Sequence, residues 1–207
     1  MVTKGLFVHL DAKHGMDGPV EQFLLDAVPI VRAEVGTSAW FAVRFGRGEY
    51  GIFDVFPDAA ARDVHLAGGV AAALLARSSE LFNHAPRVEK LDVLASKLPV
   101  GIGAALDTKG LLLSFEAKAG HEAQVAQFLA DARTFVMDET GTTAWFAVRF
   151  DRGDYGIFDV FPDNGARFVH LTGHVPRELA KHAMTLMGSM PEMHMLNVMA
   201  EAFTTTA

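Results

Sequence analysis

The chain has 207 residues, a formal net charge of −7 and 50% hydrophobic residues, enough for one large domain or two small ones. The acidic balance argues against a nucleic-acid partner, and the absence of cysteine excludes disulfides, thiolate metal sites and cysteine nucleophiles. No apolar run approaches the ~20 residues of a membrane helix, and the first apolar stretch is too short for a signal peptide; a cytoplasmic protein with no membrane partner is the expectation.

Residues 5–12, GLFVHLDA, read as a strand in which Leu6, Val8 and Leu10 alternate with Phe7, His9 and Asp11. A helix follows, with Asp17 as its expected N-cap and Pro19 in the first turn. Val20, Phe23, Leu24, Ala27 and Val31 keep helical spacing, Gly36 suits the stop, and Pro29 predicts a kink. Next comes WFAVRFGRGEYGIFDVFPD, residues 40–58, read as a hairpin whose GRG loop closes with Gly48 in the left-handed region. That loop length pairs Trp40 with Asp54, Ala42 with Ile52 and Arg44 with Tyr50. A helix beginning at Asp58, interrupted around Gly68-Gly69, and a strand over roughly 88–95 complete a βαββαβ unit of the ferredoxin-like kind.

The unit then recurs. Residues 145–163, WFAVRFDRGDYGIFDVFPD, match the first hairpin at seventeen of nineteen positions, at an offset of 145 − 40 = 105 that holds along the chain. The fold class expected is therefore α+β: two ferredoxin-like repeats, 1–98 and 109–207, joined by a linker over 99–108 and packed as a covalent pseudo-dimer. A further homodimer stays open. Divergence is uneven, since only seven of twenty-six positions match between 70–95 and 175–200.

The hairpin register separates two faces. Phe41, Val43, Phe45, Gly51, Phe53 and Val55 form a wholly non-polar one. Trp40, Ala42, Arg44, Tyr50, Ile52, Asp54 and Phe56 form the other, with apolar walls and a few polar groups, as in a ligand pocket. A carboxylate in mid-strand among large apolar residues must be paired, hydrogen-bonded or protonated. Asp54 and Asp159 thus serve either structural hydrogen bonding or a pocket, and the Trp40 indole N–H is in place to donate to Asp54. Arg44 lies roughly 13 Å along the strand from Asp54, so no salt bridge joins them. Arg44 and Arg149 otherwise read as solvated or structural, and His65 and His170 either line a pocket or bond a helix end. His9 has Ser114 as its counterpart, so any chemistry using it serves one half only. His170 and His174 have the spacing of helical metal ligands, but Gly173 intervenes and no acidic residue completes a site, so no metal is expected. The methionine-rich end, 184–199, suits adaptable packing.

The tandem plan, with FDVFPDxxARxxHLxG after each hairpin, resembles the antibiotic biosynthesis monooxygenase family over residues 4–98 and 109–203. The resemblance implies a dimeric α+β barrel with pockets between each sheet and its helices, placing His65 opposite Asp54 and Trp40. It further implies oxidation of a small aromatic or quinone-like compound without metal or flavin, the substrate carbanion reacting with oxygen. No cofactor is then needed. Asp54, His65, Asp159 and His170 are the candidate catalytic residues; His9, Trp40, Arg44, Tyr50 and Phe56, with Trp145, Arg149, Tyr155 and Phe161, are the candidate substrate contacts. The haem-degrading branch uses a strand tryptophan, an asparagine and a helical histidine; Phe56 and Phe161 stand at the strand position and the first strand has no asparagine. The alternative is a non-catalytic or stress-related protein that captures a hydrophobic small molecule.

Overall fold

The structure, a computed structural model, describes residues 1–99 and 107–203; most of the expected linker lies outside them. The first repeat runs β1 (Lys4–Asp11), α1 (Asp17–Arg32), β2 (Ala39–Gly46), β3 (Glu49–Phe56), α2 (Ala59–Leu66), α3 (Gly69–Leu81) and β4 (Arg87–Lys97). The second runs β5 (Lys109–Phe115), α4 (Glu122–Asp138), β6 (Ala144–Phe150), β7 (Tyr155–Phe161), α5 (Asn164–Leu171), α6 (His174–Leu186) and β8 (Glu192–Phe203). The eight strands close into one antiparallel barrel in the order β1-β3-β2-β8-β5-β7-β6-β4. Two junctions, β2 with β8 and β4 with β6, join the repeats, so neither sheet keeps a free edge there.

Both hairpins adopt the expected register along their length, but at the end of the first the expected Phe45–Glu49 pair gives way to Gly46 opposite Glu49, a register shift at Phe45. Trp40 faces Asp54, Ala42 faces Ile52 and Arg44 faces Tyr50, with Trp145 opposite Asp159 in the second copy. Gly48 and Gly153 have φ of 78° and 102°, the left-handed conformation that a β-carbon penalises. The wholly non-polar faces of both repeats meet inside the barrel, where Phe53 stacks on Phe158 at 4.2 Å and Phe41 lies 5.5 Å from Phe158. Such ring pairs contribute about 0.5–1.5 kcal/mol beyond their buried area. The barrel is filled by side chains, as eight strands allow.

The opposite faces lie under the helices. Val20, Phe23, Leu24, Ala27 and Val31 of α1 pack on Val8, Trp40 and Ile52, and α4 repeats the arrangement on Trp145 and Ile157. Two local expectations are corrected. Asp17 does not cap α1; Met16 holds the cap position, and the Asp17 carboxylate instead accepts from Gly48 N at 2.8 Å, tying the helix to the hairpin loop. The helix runs through Pro29 and ends at Arg32, before Gly36. Gly36 serves packing, since a β-carbon there would sit 3.1 Å from Ala61 Cβ. Asp58 and Asp163 do cap α2 and α5, accepting from Ala61 N and Ala166 N at 2.9 and 2.8 Å. Among the described residues no single helix is long and apolar enough to cross a membrane.

Candidate functional site

Strand β3 carries Asp54 on the helix side of the sheet, and α2 brings His65 over it. His65 Nε2 lies 3.1 Å from Asp54 Oδ2, while its Nδ1 lies 2.5 Å from Glu34 Oε2. Thr37 Oγ1 donates to the same Glu34 oxygen at 2.7 Å. The second repeat rebuilds the arrangement: His170 Nδ1 is 2.6 Å from Glu139 Oε2, Thr142 donates to Glu139 at 2.8 Å, and His170 Nε2 is 3.8 Å from Asp159 Oδ2. Each imidazole is thus held between two carboxylates, one at the sheet and one after the first helix.

Burial decides the electrostatics. Asp54 and Asp159 are each 1% exposed. Loss of solvation raises both carboxyls, and for Asp159, with His170 opposing and Glu139 reinforcing, the value is pushed up to about 7. Burial alone would lower His65, but Asp54 and Glu34 outweigh it and raise the imidazole to about 9. His170 shifts upward in the same way, against its own burial, through Glu139 and Asp159. The His65–Asp54 approach is poorly aligned for hydrogen bonding: neither Asp54 oxygen, nor Asp159 Oδ1, has a directed donor. The indole N–H groups of Trp40 and Trp145 are likewise buried and unpartnered, so the expected Trp40–Asp54 hydrogen bond is not formed. The tryptophans act here as apolar walls.

In the second repeat the pair borders a cavity of about 210 Å³, lined by Asp159 and His170 together with Ile157, Val175, Leu179 and Met187. On its other side His170 also borders a surface depression that includes Glu139 and Thr142. Phe56 and Phe161 pack against His65 and His170, each at 5.2 Å between ring centroids.

Other expected contacts lie elsewhere. Tyr50 OH donates to Asp17 at 2.8 Å and Glu21 at 3.0 Å, and Arg44 donates to Glu21 at 3.0 Å, forming a cluster that pins α1 to the hairpin end. Tyr155 OH donates to Glu122 O at 3.0 Å, and Arg149 reaches Asp92 across the β4–β6 junction at 2.9 Å. The register explains this: position 44 or 50 lies four residues along the strand from the carboxylate. His9 points to the barrel side, with its ring 4.5 Å from Phe7, at a separate mouth cavity of about 750 Å³. Burial, with Arg87, Arg152 and His194 nearby, lowers it to about 4, so its 3.8 Å approach to Glu89 is a neutral contact near pH 7. His174 packs in a tilted arrangement against Phe135, 4.0 Å between ring centroids, and among the described residues no group of three or more candidate ligands converges on a metal position.

Glu34, Thr37, Glu139 and Thr142 escaped the sequence reading. Their signal is the shared E-x-G-T at the 105-residue offset, Glu34-Val35-Gly36-Thr37 against Glu139-Thr140-Gly141-Thr142.

No protein-family model and no curated protein matches the chain. Solved structures do. A candidate monooxygenase from Fusobacterium nucleatum superposes with a TM-score of 0.87 at 15% identity, covering 98% of this chain and 95% of its own. A ferredoxin-fold protein related to antibiotic biosynthesis monooxygenases, from Listeria monocytogenes, gives 0.57 at 7% identity, over 96% and 95%. The fold shared with these proteins is a tandem dimeric α+β barrel. An anthrone oxidase-like protein shares this barrel with a TM-score of 0.65 at 11% identity, over 97% of this chain and 92% of that one. Asp159 and His170 lie outside the barrel interior, in the space between the sheet and its helices.

Proposed function

We propose that the protein is a cofactor-independent monooxygenase acting on a small aromatic or quinone-like compound held in the second-repeat cavity. The observation that carries this reading is a buried carboxyl, Asp159, set beside a histidine on the wall of an otherwise apolar cavity. A base works best when its pKa lies near the working pH, and burial brings Asp159 there. In this reading Asp159 takes a proton from an acidic ring methylene of the bound compound. The His170 imidazolium, held by Glu139, faces the resulting anion and stabilises it. The anion gives its electrons to dioxygen. One oxygen atom enters the substrate and the other leaves as water with both methylene hydrogens, so that the methylene and dioxygen give a carbonyl and one water. The 3.8 Å separation closes when a ligand orders the pair, since catalytic hydrogen bonds tighten in complexes. A cavity of about 210 Å³ is below the ~300–1,000 Å³ of drug-sized sites, which favours a compact ligand. The monooxygenase and anthrone-oxidase names borne by proteins of the same fold support the reaction class.

Oxygen consumption measured across a panel of anthrones and other aromatic ketones with an acidic ring methylene tests the reading. Turnover with at least one compound, lost in Asp159→Asn, is the expected result. Ligand-dependent thermal stabilisation with no oxygen uptake would instead favour the capture protein.

A further inference from the structure

Strand β4 belongs to the first repeat, yet its last residue, Lys97, reaches the second repeat's site. It pairs with Trp145 across the β4–β6 junction. Its Nζ donates to Val136 O at 2.9 Å and Glu139 O at 2.6 Å, at the C-terminal end of α4. A cation is favourable there because the last carbonyls of a helix lack partners and carry partial negative charge. The next link is the Glu139 side chain, which holds His170 Nδ1 at 2.6 Å. Burial alone would raise this carboxyl, but His170, Thr142 and the Lys97 charge together hold it low. From Lys97, through the main chain and then the side chain of Glu139, a line of polar groups leads to His170, whose Nε2 edge lies 3.8 Å from Asp159 at the cavity.

Among the described residues the first repeat's group has no such cation. Ala202 of β8 pairs with Trp40 as Lys97 pairs with Trp145, so an alanine occupies the equivalent position beside the Glu34–His65–Asp54 group. The two groups share residues but not their outer support.

We propose that Lys97, contributed by the first repeat, is a positioning residue for the second repeat's site. It fixes the end of α4, so that Glu139 can hold the His170 Nε2 edge toward Asp159 and the cavity. This rests on reading Asp159 and His170 as the working pair. It also makes the repeats non-interchangeable: the second repeat depends on a side chain that only the first supplies.

The pseudo-symmetry provides an internal control. In full-length Lys97→Met, His65 and His170 are titrated side by side by NMR, and the pH–rate profile is recorded with any compound that turns over. The His170 midpoint is expected to fall by about half a pH unit or more while His65 stays in place. The falling limb of kcat should move with His170, with KM changed less. Lys97→Arg, which keeps the cation, should restore both. A His170 midpoint unmoved in Lys97→Met, or one that moves equally with His65, overturns the proposal. Should Lys97→Met fail to fold, Lys97→Gln carries the same comparison. The titration needs no substrate, so it decides the Lys97 coupling even if no oxygen uptake is found; turnover that survives Asp159→Asn would sink the site assignment and leave the coupling standing.

Discussion

His65 Nε2 lies 3.1 Å from Asp54 Oδ2, whereas His170 Nε2 lies 3.8 Å from Asp159 Oδ2. The two hairpins that carry these carboxylates match at seventeen of nineteen positions, while the residues packed around each pair differ. In the first repeat Phe82, 2% exposed, joins Val8, Ile52, Val70 and Leu74 in one core cluster. In the second, Met187 replaces that phenylalanine and borders the cavity.

Stability should fall as pH rises, for two linked reasons. Asp159 has a folded pKa near 7, above its ordinary 3.8, so it binds its proton more tightly in the folded state. Its contribution is present at low pH and is lost as pH rises through 7. His65, raised to about 9 from 6.5, contributes stability that is full below 6.5 and lost as pH rises through 9, on the order of 3 kcal/mol. Urea unfolding across this range should show a continuous decline, and Asp159→Asn should flatten its lower part. Any turnover should be bell-shaped, rising near pH 7 with Asp159 and falling when His170 loses its proton. A flat stability profile would rule out these ionisations.

The two histidines should separate stability from chemistry. Removing one partner of a buried charged pair costs about 3–5 kcal/mol. His65→Gln is expected to lose stability of that order while keeping turnover within about threefold. His170→Gln should lose turnover by roughly 10²-fold, as expected when charge stabilisation at a developing anion is removed. Equal kinetic effects of the two variants would contradict the assignment of the site to the second repeat.

Met187→Phe should close the cavity. The added ring enters space bordered by Leu179, Ala183 and Val175, so ligand affinity should drop at least about tenfold by calorimetry. Filling apolar space should also raise the melting temperature by a few degrees, about 1 kcal/mol. Undiminished binding would move the ligand elsewhere, with the barrel-mouth cavity beside His9 the next place to look.

Much of this was legible in the chain because β-structure has a strict period of two. Once GRG fixed the loop length, the side chains of both strands had assigned faces, and the observed register agrees from Trp40 to Arg44 and departs only at the hairpin end, where Gly46 rather than Phe45 faces Glu49. Sequence spacing could not show how far along a face each polar group works. Tyr50 and Arg44 share Asp54's face, yet they reach α1 carboxylates because the hairpin end lies beside the start of that helix. His9 shows the complementary difficulty: the strand alternation puts it with Phe7, on the barrel side, away from Asp54. Glu34 and Glu139 sit in loops, where no periodicity marks a side chain as inward.

The sequence by itself determined the repeated βαββαβ unit, the hairpin register and the non-polar face that fills the barrel, since local periodicity and turn chemistry act within a few residues. Only the tertiary structure decided that each histidine stands between two carboxylates, and that Lys97 of one repeat serves the other. Those contacts join residues 65 − 54 = 11, 31 or 42 positions apart, brought together by barrel closure and helix docking.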